Sequence, residues 1–218
     1  MNANAQNHRA ILQSIAHKVM LERGLLPDFS SEALAELERI QAPAVFSGGP
    51  ARDLRGLLWA SIDNDDSLDL DQITVAEAMP GDKIKVLVAV ADVDSLVKNG
   101  TAIDEHARHN TTSVYTAAEI FPMLPEKLST NLTSLNFNED RLSFVVEMVI
   151  GADGSLHESD VYQAHVRNHA KLTYNRVAAW LEKKSDIPEE LAAVQGLAEN
   201  LQMQDRAAQS MKNLRHLH

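Results

Sequence analysis

The chain has 218 residues, 44% of them hydrophobic, which is enough to bury a core in one large domain or in a domain with a small extension. It has no cysteine, so a disulfide scaffold, a thiol nucleophile and a thiolate metal site are excluded. A formal net charge of −11 argues against broad non-specific binding of nucleic acid, although carboxylates that hold a cation can still bring that cation to a phosphate.

Apolar residues at Ile11, Leu12, Ile15, Val19 and Met20 predict a helix over residues 9–22. Ser30 is placed to cap a second helix over 31–40. The stretch QAPAVFSGGPA, with two prolines and paired glycines, reads as a linker. A boundary near residue 50 follows, with 1–49 a helical extension and linker and 50–218 the main domain. RDLRGLLWASID predicts a strand that enters an acidic loop. Residues 72–78 predict a second strand, and MPGDK a turn. Residues 84–92, IKVLVAVAD, are apolar on both alternations, which predicts a central strand covered on both faces. A short helix is expected over 102–109. The next segment is mixed, its path restricted by Pro122 and Pro125. LSFVVEMVIGADG predicts a strand and a glycine-containing turn. From Ser159 onward helical patterns are read in SDVYQAHVRNHAKL, in TYNRVAAWLEKK and in the final segment that begins EELAAV. Strands in the middle and helices at both ends make the expected class α+β (mixed α/β), a central mixed sheet with surrounding helices. No apolar run reaches the length of a spanning helix, and the polar start MNANAQNHRA lacks a signal region. A cytoplasmic protein with no membrane partner is expected.

The stretch SIDNDDSLDLDQ, residues 61–72, places five aspartates between Asp63 and Asp71 directly behind the apolar run LLWAS. Converging carboxylates raise one another's pKa values unless a cation compensates. A solvated acidic turn is the ordinary account of such a run. Three features weigh against it. The aspartates follow a strand-like run. Leu68 and Leu70 alternate with Asp69 and Asp71, which would pin the loop on apolar neighbours. Arg52 and Arg55 precede the loop, where they either meet an anionic ligand or neutralise the cluster. An all-oxygen group of Asp63, Asp69 and Asp71 suits Mg²⁺ or Mn²⁺. Such an ion activates water and stabilises charge on a phosphoryl oxygen. A calcium loop counted from Asp63 fails at Leu68, where glycine is needed, and at Thr74, where glutamate is needed. Arg108, Lys127 and Arg141 are phosphate-contact candidates, with surface solvation as the alternative. His106 and His109 share a helical spacing, and packing or surface roles compete with metal binding.

RDLRGLLWASIDNDDSLDLDQITVAEA resembles the opening of the RNB catalytic domain of the ribonuclease II family. The resemblance runs on through SVY, PMLPEKLS and HAKLTY and covers about residues 50–185. It implies a processive 3′→5′ exoribonuclease that uses Mg²⁺ and hydrolyses single-stranded RNA to nucleoside 5′-monophosphates. It implies that Asp63, Asp69 and Asp71 hold the cation and position water, and that Tyr115 packs against a base. Arg52 and Arg108 join Tyr115 as substrate-binding candidates. Gln72 stands where the family has a fourth aspartate. Its amide can ligate a cation weakly but brings no charge. The alternative is therefore an RNA-binding or regulatory relative with weakened or lost catalysis. The family's later arginine-rich motif is not found after Trp180. The chain then reads as the N-terminal part of an incomplete RNB-type domain, inactive alone, with the remainder of the domain as a partner.

Overall fold

The computed structural model describes residues 3–45 and 51–216, and the FSGGP part of the expected linker lies outside them. In chain order the elements are α1 (Ala3–Glu22), α2 (Ser31–Arg39), β1 (Arg52–Asp53), β2 (Ala60–Asp63), β3 (Gln72–Met79), β4 (Lys83–Ala91), α3 (Ala102–Asn110), β5 (Val114–Tyr115), β6 (Ile120–Phe121), β7 (Asp140–Ile150), β8 (Leu156–Arg167), β9 (Ala170–Thr173), α4 (Tyr174–Leu181), α5 (Glu189–Ala192) and α6 (Leu197–His216). They form two compact units. Residues 1–42 join 93–132, and residues 43–92 join 133–218. The two expected N-terminal helices are thus grouped with a stretch from the middle of the chain.

In the larger unit the described strands make a seven-stranded mixed sheet in the order β1-β8-β7-β4-β3-β2-β9. Hairpin neighbours run antiparallel, while β1 pairs with β8 and β9 pairs with β2 in parallel. Gly81 and Asp82, both at positive φ, make the tight turn between β3 and β4. One face of the sheet buries Trp59, Ile73, Val75, Leu87, Ala89, Val145, Ala164 and Val166. Trp59 is fully buried, and its indole N–H donates to the Leu54 carbonyl at 2.8 Å. Truncating it to alanine should cost about 3–5 kcal/mol. The opposite face sets Ala60, Ala170 and Leu172 against Val177, Leu191, Leu197 and Leu201 of the three C-terminal helices. Asn200 locks α6 to β3 by accepting from the Ala76 N–H at 3.0 Å and donating to the Ala76 carbonyl at 2.8 Å. Gly154, at φ +85°, leaves the β7–β8 turn flush with α6, where a Cβ would lie 2.2 Å from the Ser210 carbonyl oxygen.

Three expectations are corrected. Residues 159–172 are strand, not helix. They supply most of β8 and the start of β9. Val161, Tyr162 and Val166 suit a pleated surface, and the long β7 offers them a paired edge that no local pattern reveals. The final helical run is divided by Gly196, at φ +83°, into α5 and α6. The β4 strand is central, but its helix-facing side is only partly covered. Val90 is exposed there, beside its cross-strand partner Phe144, and Val161 is exposed on the same side.

In the smaller unit α2 and α3 pack through Ala33 and Ile103, with Leu124, Leu128 and Leu132 beneath them. The Ser30 hydroxyl accepts from the Ala33 N–H at 3.1 Å, as a cap should. The start of α3 is capped a second time by the Glu36 carboxylate, which accepts from the N–H groups of Ala102 and Ile103. Asn110 clasps both backbone groups of Leu26. His106 is buried against Phe29 with ring centres 4.1 Å apart, and His109 bonds the Gly24 carbonyl at 2.6 Å. His106 is therefore a packing residue, and His109 is an exposed side chain tied to backbone. Among the described residues no helix is long and apolar enough to cross a membrane.

Candidate active site

The acidic loop leaves the carboxyl end of β2 and returns as β3. Asp63 is the last residue of β2, and its Oδ1 accepts from the Asn64 N–H at 2.8 Å and from the Ser67 hydroxyl at 2.9 Å. These bonds close a turn that throws Asp65 and Asp66 into solvent. The returning half of the loop is held by residues that follow Leu132 in the chain. The Ser134 hydroxyl accepts from the Leu70 N–H at 3.0 Å, and the Leu135 N–H donates to the Leu70 carbonyl at 2.9 Å. Leu70 is buried, as the alternation predicts, but Leu68 is 65% exposed, so one leucine pins the loop and not two. The Ala91 N–H donates to the Asp71 carbonyl at 2.9 Å, tying the loop's end to β4.

These constraints bring Asp63, Asp69 and Asp71 within electrostatic range of one another. The carboxyl of Asp71 is held above the ordinary carboxylate value, first by desolvation in the surrounding protein, then by the charges of Asp69 and Asp63. Among the described residues no arginine or lysine forms an ion pair with Asp71. No set of three carboxylates or imidazoles among them stands at the spacing of ligands around one metal ion. The oxygen-only donor set has the right chemistry for a hard cation, and Asp63 Oδ1 is engaged in its own turn. Gln72 opens β3, exposed and paired in the ladder with Val90.

The expected cations lie elsewhere. Arg52 sits on β1, five strand positions from β2 in the sheet order. Its guanidinium pairs with Asp160 at 3.0 Å and lies 3.4 Å over the Tyr162 ring. Arg55 does not neutralise the loop. It pairs with Asp53 at 2.7 Å and Asp140 at 2.9 Å. Arg141 is buried and pairs with Glu139. Arg108, Lys127 and Tyr115 belong to the smaller unit. Arg108 pairs with Glu105, Lys127 donates to the Leu37 carbonyl at 3.3 Å, and the Tyr115 ring is 66% exposed on β5.

Two residues near the loop escape a reading by sequence alone. Lys171 on β9 donates to the Ser67 carbonyl at 2.5 Å. Asp92, buried at the end of β4, accepts from Gln163 at 2.8 Å. The charge that ends the apolar run IKVLVAVAD is a signal for the second. Lys171 carries none, because its partner is 104 residues away.

Known proteins share this arrangement of elements. The family model for the RNB domain matches residues 51–218. Ribonuclease R of Escherichia coli (strain K12) is 40% identical over 140 residues, which is 64% of this chain and 17% of that protein. Exoribonuclease 2 of Escherichia coli O157:H7 is 32% identical over 168 residues, 77% of this chain and 26% of that protein. The structure of Mycoplasma genitalium RNase R in complex with ribose methylated single-stranded RNA aligns with a TM-score of 0.78 and 25% identity, covering 90% of this chain and 30% of that one. The chain thus spans well under half the length of each of these relatives.

Proposed function

The chain belongs to the RNB domain family of ribonuclease II-like proteins, and on that premise we propose that it carries the cation-holding part of a 3′→5′ exoribonuclease centre. The substrate is single-stranded RNA and the products are nucleoside 5′-monophosphates. The observation that carries this reading is Asp71, a carboxylate raised by desolvation and by the charges of Asp69 and Asp63, and met by no ion-paired side chain among the described residues. A structural acidic cluster is neutralised by its own arginines, whereas a cluster awaiting a cation is not. Asp63, through its second oxygen, Asp69 and Asp71 would hold Mg²⁺ or Mn²⁺, with the Gln72 amide as a weak neighbouring ligand. An ion held by these aspartates would supply positive charge to a phosphate and would acidify a bound water. The aspartates' own task is to fix that charge at the end of β2. The exposed ring of Tyr115 suits stacking on a base of any identity, and RNA bound to the M. genitalium relative supports the same partner class. The exposed apolar side chains of Val90, Phe144 and Val161 are suited to cover by the domain segments that follow this stretch in the relatives. The 218 residues alone should therefore show little activity, and the protein acts in the cytoplasm.

The test is the intact protein on 5′-labelled single-stranded RNA with Mg²⁺ or Mn²⁺. A descending ladder is the expected result. No cleavage by folded protein across metals and pH would overturn the reading. Gln72 favours a second reading, an RNA-binding relative whose chemistry has weakened, because an amide cannot replace the charge of an aspartate.

A further inference from the structure

The parallel register of β9 on β2 sets Lys171 beside Ser61 and Thr173 beside Asp63. Side chains alternate along a strand, so these four project from one face of the sheet. From there the Lys171 ammonium reaches the Ser67 carbonyl at 2.5 Å, and the Ser67 hydroxyl donates to Asp63 Oδ1 at 2.9 Å. Lys171 is half-buried and forms no ion pair among the described residues. A lysine usually extends its charge into water or to a carboxylate. Here it bonds a neutral carbonyl within a loop of five aspartates, where the loop's field favours a cation. Thr173, the direct neighbour of Asp63, does not brace it. Its hydroxyl is buried with no hydrogen-bond partner among the described residues. The loop is therefore fastened in two halves. Ser134 and Leu135 hold the returning half at Leu70, and Lys171 holds the outgoing half at Ser67.

We propose that Lys171 is a positioning residue that anchors the outgoing half of the aspartate loop to β9 and thereby fixes Asp63 within reach of Asp69 and Asp71. The proposal rests on the reading of this loop as a cation and phosphate site. Its action runs through Ser67, so it touches neither the cation nor RNA. Removing the ammonium frees residues 64–67, while Leu68 and Leu70 stay held by Ser134, whose hydroxyl donates to the Leu68 carbonyl at 3.2 Å. Asp63 then loses its fixed direction, and cation affinity falls as it does when an orienting neighbour of a ligand is lost, on the order of tenfold.

The experiment is Lys171→Met and Lys171→Arg in the intact protein, read by amide hydrogen exchange and by Mg²⁺ titration. Lys171→Met should speed exchange over residues 64–67, leave the Leu70 and Leu135 amides protected, and weaken Mg²⁺ about tenfold. Lys171→Arg should behave like the unaltered protein. Unchanged exchange and Mg²⁺ affinity in Lys171→Met would overturn the proposal, and so would an arginine variant that loses as much as the methionine variant. Should Lys171→Met not fold, Lys171→Gln removes the charge while keeping a polar group, with the same expectation. The exchange measurement does not depend on catalysis. A loop that loosens in a protein that cleaves no RNA would sink the nuclease reading and leave the anchor standing.

Discussion

The larger unit holds two acidic clusters with opposite electrostatics. Asp53 and Asp140 meet Arg55 and Arg167, with Arg167 Nε 2.6 Å from Asp140. The Arg55 guanidinium holds Asp53 below the usual carboxylate range, and Arg167 does the same for Asp140, with Arg55 adding to it. Asp71 moves the other way, raised by desolvation and by Asp69 and Asp63. The first cluster joins β1, β7 and β8 and is complete in itself. In the second, Asp71 meets no ion-paired arginine among the described residues, and the loop leaves the carboxyl end of β2. Fitted arginines mark the first as a structural joint, and the second is the cluster proposed above to take a cation.

The contrast can be broken most sharply at Asp71. Asp71→Asn should lower kcat on single-stranded RNA on the order of a hundredfold or more, with RNA affinity little changed. An unchanged turnover would remove Asp71 from the chemistry. Next, Mg²⁺ at ten times its Kd should stabilise the protein by about 1.4 kcal/mol, seen as a rise in Tm that Asp71→Asn abolishes and Arg55→Ala keeps. Gln72→Asp should then tighten Mg²⁺ several-fold. A large accompanying gain in cleavage would favour the weakened-relative reading, and no gain would mean the amide is accommodated.

The pH dependence gives a smaller effect. Asp71 has a folded pKa above its ordinary value of 3.8, so the folded chain keeps this proton longer than the unfolded one. Stability without metal therefore falls as pH rises from 3.8 through the raised value, and Asp71→Asn should flatten that fall. Asp140 is lowered, so its contribution is present above 3.8 and is lost as pH drops through the depressed folded value. Arg55→Ala should remove part of that acid-side loss. Its cost in Tm near neutral pH should be small, because the pair is exposed, and cleavage should be unaffected. A large drop in cleavage would show that Arg55 serves the site after all.

Much of the candidate site was legible because it is local. Asp63, Asp69 and Asp71 lie within nine positions of one another, and the apolar run before them announces the strand whose end they occupy. The burial of Leu70 follows from alternation, while the exposure of Leu68 is not contained in that pattern. Arg52 illustrates the opposite failure. It lies eleven residues before Asp63, yet the chain joins β8 on one side and β9 on the other, and the two residues end near opposite edges of the sheet.

The amino-acid order alone determined the aspartate loop, the Ser30 cap, the β3–β4 hairpin and the family, since each rests on neighbours a few positions apart or on an ordered string of motifs. Only the tertiary structure decided that residues 159–172 are strand, that Arg52 and Arg55 are engaged in ion pairs, and that Lys171 closes on Ser67. Strand choice depends on an available partner edge. Charge roles depend on which groups the sheet register brings within a few ångströms, and that distance is unrelated to separation along the chain.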